Sequence, residues 1–121
     1  MKITIPGRPI PAVRMTRRGV YKKEYAQRYL DYKTAIGMYA RIKCKEPTEK
    51  YVIVDVRVYL YGIKGFGNAG DVDNYLKSSM DGLNGIAWLD DRQVVKATVQ
   101  KLWCEKKDER MEIEIYATEG D

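Results

Sequence analysis

The residues of this chain best suited to chemistry are acids. Asp71-Val72-Asp73-Asn74-Tyr75-Leu76-Lys77 is followed by Asp81 and then by Leu89-Asp90-Asp91. Asp73, Lys77 and Asp81 are spaced i, i+4, i+8, which puts them on one face of a helix, with Asp71 just ahead of its first turn. Carboxylates held close repel one another unless something neutralises them, and a hard divalent cation such as Mg²⁺ prefers oxygen ligands of this kind. A plainer reading is equally open on spacing alone: Asp71 or Asp73 caps a helix, and the Asp-Lys-Asp series is a surface ladder of weak contacts. A calcium loop of the EF-hand type is excluded. Although Asp71-x-Asp73 opens like one, the sixth position is Leu76 where glycine is required, and the twelfth is Gly82 where glutamate is required.

The chain has 121 residues and no histidine. That removes Ser-His-Asp and Cys-His nucleophiles, zinc helices of the H-E-x-x-H kind and any nuclease with a histidine base. Chemistry must come from carboxylates, lysine, arginine, tyrosine or a bound metal. The net charge of +5 is unevenly spread: residues 1–50 carry 13 Lys+Arg against 4 Asp+Glu, and residues 51–121 carry 9 against 13. A basic block suggests contact with a polyanion such as nucleic acid, although a solvated surface explains charge alone as well. Cys44 and Cys104 cannot by themselves form a four-ligand zinc site and read as core or surface thiols. The N-terminus MKITIPGRPIP has no apolar signal region, and no apolar run is long enough for a membrane span, so a soluble, cytoplasmic protein is expected.

The elements that must position the acids can be read from periodicity, and no repeat or linker divides them, so one domain over residues 1–121 is expected. Ile3 and Ile5 alternate with Lys2 and Thr4 as a first strand ending at Pro6-Gly7, and a basic loop follows with Arg8, Arg14, Arg17 and Arg18. From about Tyr21 to Lys45, Tyr25, Tyr29, Tyr32, Ile36 and Tyr39 recur at helical spacing, with Ala26, Leu30 and Ala40 alongside. Tyr51 to Tyr61 alternates strictly, with Val52, Val54, Val56, Val58 and Leu60 on one side and Asp55 and Arg57 on the other. The glycine-rich stretch Gly62–Gly70 reads as a mobile loop. A second helix then runs from Asp71 or Asp73 to about Asn84, with Leu76, Met80 and Leu83 as its buried stripe and Asn84-Gly85 as its stop. Two further strands, about Val94–Cys104 and Arg110–Ala117, are joined by the polar turn Lys106-Lys107-Asp108-Glu109. The order β-α-β-α-β-β predicts an α+β fold, a small mixed sheet with two main helices.

At this point the chain resembles a known family. Gly70-Asp71-Val72-Asp73-Asn74-Tyr75-Leu76-Lys77-Ser78-Ser79-Met80-Asp81-Gly82-Leu83-Asn84-Gly85, followed by Trp88-Leu89-Asp90-Asp91-Arg92-Gln93-Val94, is similar to the RusA family of Holliday junction resolvases, with its D-x-D-N-x-x-K-x-x-x-D-x-L and L-D-D-x-x-V motifs. The opening Ile5-Pro6-Gly7-Arg8-Pro9, the basic loop and the tyrosine-bearing helix extend the resemblance over nearly the whole chain. The resemblance implies an endonuclease that cuts four-way DNA junctions as a homodimer with Mg²⁺ or Mn²⁺, in recombination and repair. It implies that Asp71, Asp73 and Asp91 are the essential, metal-holding carboxylates and Lys77 the essential lysine, with Asp81 and Asp90 in supporting roles. Arg8, Arg14, Arg17 and Arg18 are candidate DNA contacts on grounds of charge.

Physical chemistry agrees with that set. Hydrolysing a phosphodiester without histidine needs a metal to lower the pKa of a bound water and to offset charge on the phosphate, and a lysine such as Lys77 can stabilise that charge. The plain alternative for Lys77 is a salt bridge to Asp73 or Asp81. A two-fold dimer would match the near two-fold symmetry of a junction and permit paired incisions. Two other functions stay open: a non-catalytic basic DNA-binding module whose acids only cap a helix, and a metal-dependent nuclease acting on flaps or other branched DNA.

Overall fold

The alternation between Tyr51 and Tyr61 sets the architecture. In the computed structural model, which describes residues 1–13, 23–62 and 70–118, β2 spans Val52–Leu60, and each of its even-numbered residues is buried. It is flanked on both sides in a four-stranded mixed sheet of order β1-β4-β2-β3, where β1 is Lys2–Pro6, β3 is Val94–Trp103 and β4 is Arg110–Ala117. β4 lies between β1 and β2 and runs antiparallel to both, pairing Ile3 with Ile113 and Val54 with Ile115. β3 pairs with β2 in parallel, Val54 opposite Ala97, with a bulge at Val95. Helices α1 (Lys23–Lys43) and α2 (Val72–Leu83) complete the expected β-α-β-α-β-β order.

One face of the sheet carries Ile3, Ile5, Val54, Val56, Val58, Met111, Ile113 and Ile115, and with residues of both helices these form a single buried cluster. The other face is polar. There Glu112 accepts hydrogen bonds from Arg110 Nε at 2.7 Å and lies 3.3 Å from Lys2 Nζ, and the Arg110 guanidinium stacks over the Tyr59 ring at 3.8 Å. α1 buries Tyr29, Tyr32, Ile36 and Ala40, but Tyr25, Leu30 and Tyr39 are exposed, so the buried stripe is narrower than the tyrosine spacing predicts. α2 buries Tyr75, Ser78, Ser79, Gly82 and Leu83, whereas Leu76 and Met80 only flank the core. The difference has a steric cause: α1 and α2 cross closely. A Cβ on Gly82 would stand 2.7 Å from Ile36 Cβ, and one on Gly37 would stand 2.9 Å from Ile86 Cδ1, so small residues occupy the contact line and the larger ones are displaced to its sides.

β2, α2 and β3 form a parallel crossover unit, in which the helix runs back antiparallel to the two strands. α2 stops at Asn84, and Gly85 takes the left-handed backbone (φ +80°) that the Asn-Gly pair predicts. Cys44 is buried, Cys104 half-buried, and both are free thiols. No helix among the described residues is long and apolar enough to cross a membrane. Of the expected glycine-rich loop Gly62–Gly70, residues 63–69 lie outside the described residues, and so do residues 14–19 of the basic loop that opens at Arg8.

Candidate functional site

The crossover geometry places the two acidic motifs at opposite ends of α2. At its start, Asp71 is the N-cap residue, and its main-chain carbonyl accepts from Asn74 N at 3.0 Å and Tyr75 N at 3.3 Å. Its side chain makes no capping hydrogen bond. The carboxylate is exposed, as is that of Asp73 in the first turn, where the positive end of the helix dipole favours negative charge. The capping role that sequence spacing leaves open is thus carried by the main chain of Asp71 and not by its carboxylate.

The chain arrives at Asp71 along a constrained path. Gly70 donates its N–H to the Tyr75 hydroxyl at 3.3 Å and accepts from Lys101 Nζ at 3.1 Å. A Cβ there would lie 2.8 Å from the Pro11 ring, so the position demands glycine. Ala12 N donates to Asn74 O at 2.9 Å, which fastens the start of the basic loop to the first turn of α2. A cleft of about 230 Å³ opens beside this junction, lined in part by Arg8, Arg28, Pro11, Gly70 and Tyr75. Arg8 itself bonds Glu109 Oε2 at 2.6 Å and the Tyr61 carbonyl at 3.2 Å, so its charge is partly met within the fold. Arg14, Arg17 and Arg18 lie outside the described residues.

Further along α2, Lys77 is exposed, and among the described residues it forms no ion pair with Asp73 or Asp81. Asp81 takes a different partner: the Tyr29 hydroxyl of α1 donates to it. Burial, and then this bond and the nearby charge, hold the Tyr29 hydroxyl well above its ordinary pKa. Asp81 therefore ties the two helices together.

The second motif stands beyond the other end of α2. Trp88, fully buried, donates its indole N–H to Asp91 Oδ1 at 2.9 Å and leaves the rest of that exposed carboxylate facing solvent. Asp90 caps a one-turn 3-10 helix over Asp91–Gln93, accepting from Arg92 N at 2.9 Å and Arg92 Nε at 3.2 Å. Those bonds, the main-chain one foremost, hold its carboxyl below the ordinary aspartate value. Gln93 clamps the turn: its Oε1 accepts from Leu89 N and Asp90 N, and its Nε2 donates to the carbonyls of Thr48 and Lys50. Sequence reasoning assigned no role to Trp88 or Gln93. The signal for Gln93 was available, since Asp90-x-x-Gln93 is a capping-box spacing.

Lys101, beside Gly70, pairs with Val58 near the end of β2, whereas Val94, just after Asp91, pairs with Val52 at its start. At about 3.3 Å per strand residue and 1.5 Å per helix residue, Asp91 is on the order of 20 Å from Asp71 and Asp73. Within one chain the structure groups Asp71 with Asp73 and sets Asp90 and Asp91 apart from them. Among the described residues, no three carboxylate, thiol or imidazole groups converge as a metal site.

Against this geometry, the family model described as endodeoxyribonuclease RusA matches residues 6–116. The chain belongs to the RusA endodeoxyribonuclease family. The match takes in both helices, β2, β3 and all but the last residue of β4, and begins at the end of β1, so both acidic motifs and the basic loop fall inside it. A search of curated proteins found no match. RusA membership identifies an endonuclease of the kind that acts on Holliday junction DNA.

Proposed function

We propose that this RusA-family protein is a single-domain (residues 1–121), metal-dependent endodeoxyribonuclease that selects four-way junctions and cuts them by paired, symmetric hydrolysis, working as a homodimer. The observation that carries the reading is the pair of acidic groups at either end of α2, each with carboxylate oxygen turned to solvent. Asp71, Asp73 and Asp91 are hard oxygen donors suited to Mg²⁺, with Mn²⁺ a substitute. Each half-set fits such an ion by donor type, and the two are too far apart to serve together in one chain. A second copy related by a two-fold axis supplies what the first lacks, so that Asp71 and Asp73 of one chain work with Asp91 of the other.

When bound, the ion supplies an acidified water and offsets charge at the scissile phosphate. The chain's own groups do the rest. Lys77, exposed one turn beyond Asp73 and without an internal partner among the described residues, stabilises the phosphate oxygens. Trp88 and Gln93 hold the Asp91 turn rigid, so that its carboxylate is placed before the partner arrives. Asp90 shapes that turn, and Asp81 fixes the α1–α2 crossing. Arg8 with Arg14, Arg17 and Arg18 contacts the DNA backbone through charge.

The test is incubation with a synthetic four-way junction or a linear duplex, with Mg²⁺ or with chelator. Symmetric nicks in the junction, lost on chelation, are expected. Equal cutting of the duplex would defeat the junction claim, and cutting in chelator would defeat the metal claim.

A further inference from the structure

β3 is a sheet edge: among the described residues it pairs with β2 alone. Proteins ordinarily blunt such edges with proline, shortness, charge or a cover, because unpaired main-chain groups recruit another strand. β3 runs for ten residues without proline, its middle stretch Ala97-Thr98-Val99-Gln100 carries no charge, and Val95 and Trp103 are 57% and 68% exposed. The bulge at Val95 disturbs only its first turn of pairing. On the helix side, Ala97, Val99, Lys101 and Trp103 lie in register with buried Val54, Val56, Val58 and Leu60, yet Ala97, Lys101 and Trp103 are exposed. α2 packs against β3 and brings Val94 and Val99 to the margin of the core, but it leaves the rest of this face open.

The occupant follows from what stands at the two ends of this strand. Asp91 precedes it, and Gly70, from which the chain runs directly into Asp71 and Asp73, accepts a hydrogen bond from Lys101 near its close. A parallel neighbour would set like ends together. An antiparallel copy sets the start of one strand against the end of the other, and a two-fold pairing closes on itself instead of growing into a filament. Resting on the shared-site reading above, we propose that the free edge of β3 pairs antiparallel with β3 of a second copy, making one continuous sheet across the dimer. The two composite sites then sit at the two ends of the paired strands, on the face where the helices pack.

Nitroxide labels test the surface separately from the shared site. In a Cys104→Ser background, with Cys44 buried, one variant carries a label at Thr98→Cys on β3 and another at Thr4→Cys on β1, the opposite edge of the sheet. With strands about 4.8 Å apart, dipolar spectroscopy should give an interchain distance within about 20 Å at position 98 and beyond about 30 Å at position 4. A dimer in sedimentation whose position 4 labels are the closer pair would overturn the β3 interface and leave the shared site standing. A protein that stays monomeric at all concentrations, with or without Mg²⁺, would overturn both.

Discussion

The Trp88 indole N–H donates to Asp91 Oδ1 at 2.9 Å from a side chain with no solvent exposure, so a core residue fixes the orientation of a surface acid. The bond also leaves Asp91 an oxygen for other use. Trp88→Phe keeps an aromatic ring in the core and removes the N–H. It should lower junction cleavage by about 10–100-fold, the usual cost of removing a group that orients a ligand, while junction binding in a gel shift is retained. Unchanged cleavage in a folded variant would show that Asp91 needs no such orientation.

Gln93 makes four hydrogen bonds that tie the Asp90-Asp91 turn to the segment ahead of β2. Gln93→Ala should cost about 1–2 kcal/mol in denaturant unfolding and reduce cleavage further through a loosened Asp91. Arg92→Ala, which removes only an exposed contact to Asp90, should change stability by no more than a few tenths of a kcal/mol. Equal losses in the two variants would count against the clamp.

Glu112 supplies the pH dependence. Burial pushes its carboxyl up, but the hydrogen bonds and charges of Arg110 and Lys2 more than offset this and hold it below the ordinary glutamate value. A group lowered in the folded state contributes stability that is present above its unfolded pKa, about 4.3, and is lost as pH falls through the folded value. The wild-type unfolding midpoint should therefore fall more steeply between about pH 5 and pH 3 than that of Glu112→Gln, with the variant about 1 kcal/mol less stable at neutral pH. Parallel pH profiles would contradict this assignment.

Much of the fold was legible because β2 and β4 obey a strict two-residue alternation, and the stated bounds of β4, Arg110–Ala117, are those observed. Sheet order was less accessible: the insertion of β4 between β1 and β2, with β3 at the edge, depends on contacts between distant residues that local periodicity does not encode. The tyrosines of α1 misled for a related reason. Tyr25 and Tyr39 have the spacing of a core stripe, yet the close Gly37 and Gly82 crossing turns the helix so that they face outward. The acids were identifiable by type, but their separation was not. Asp81 looked like part of an acidic ladder and is bonded by Tyr29, a residue 52 positions away in the chain. The distance between Asp73 and Asp91 follows from the parallel β2–β3 pairing, which makes α2 a crossover helix with one motif at each end.

The central claim, that each site draws its acids from two chains, is tested most directly by mixing two inactive variants. Asp73→Asn and Asp91→Asn chains, each expected to be inactive as a homodimer, are unfolded together, refolded and incubated with a four-way junction and Mg²⁺. If the acids are shared, each mixed dimer has one site with both substitutions and one with neither, so nicking should return to about a quarter of the wild-type level, confined to one strand per dimer. If mixed dimers form, as confirmed by affinity tags on the two chains, and nicking does not return, the acids of one site belong to one chain and the account is wrong.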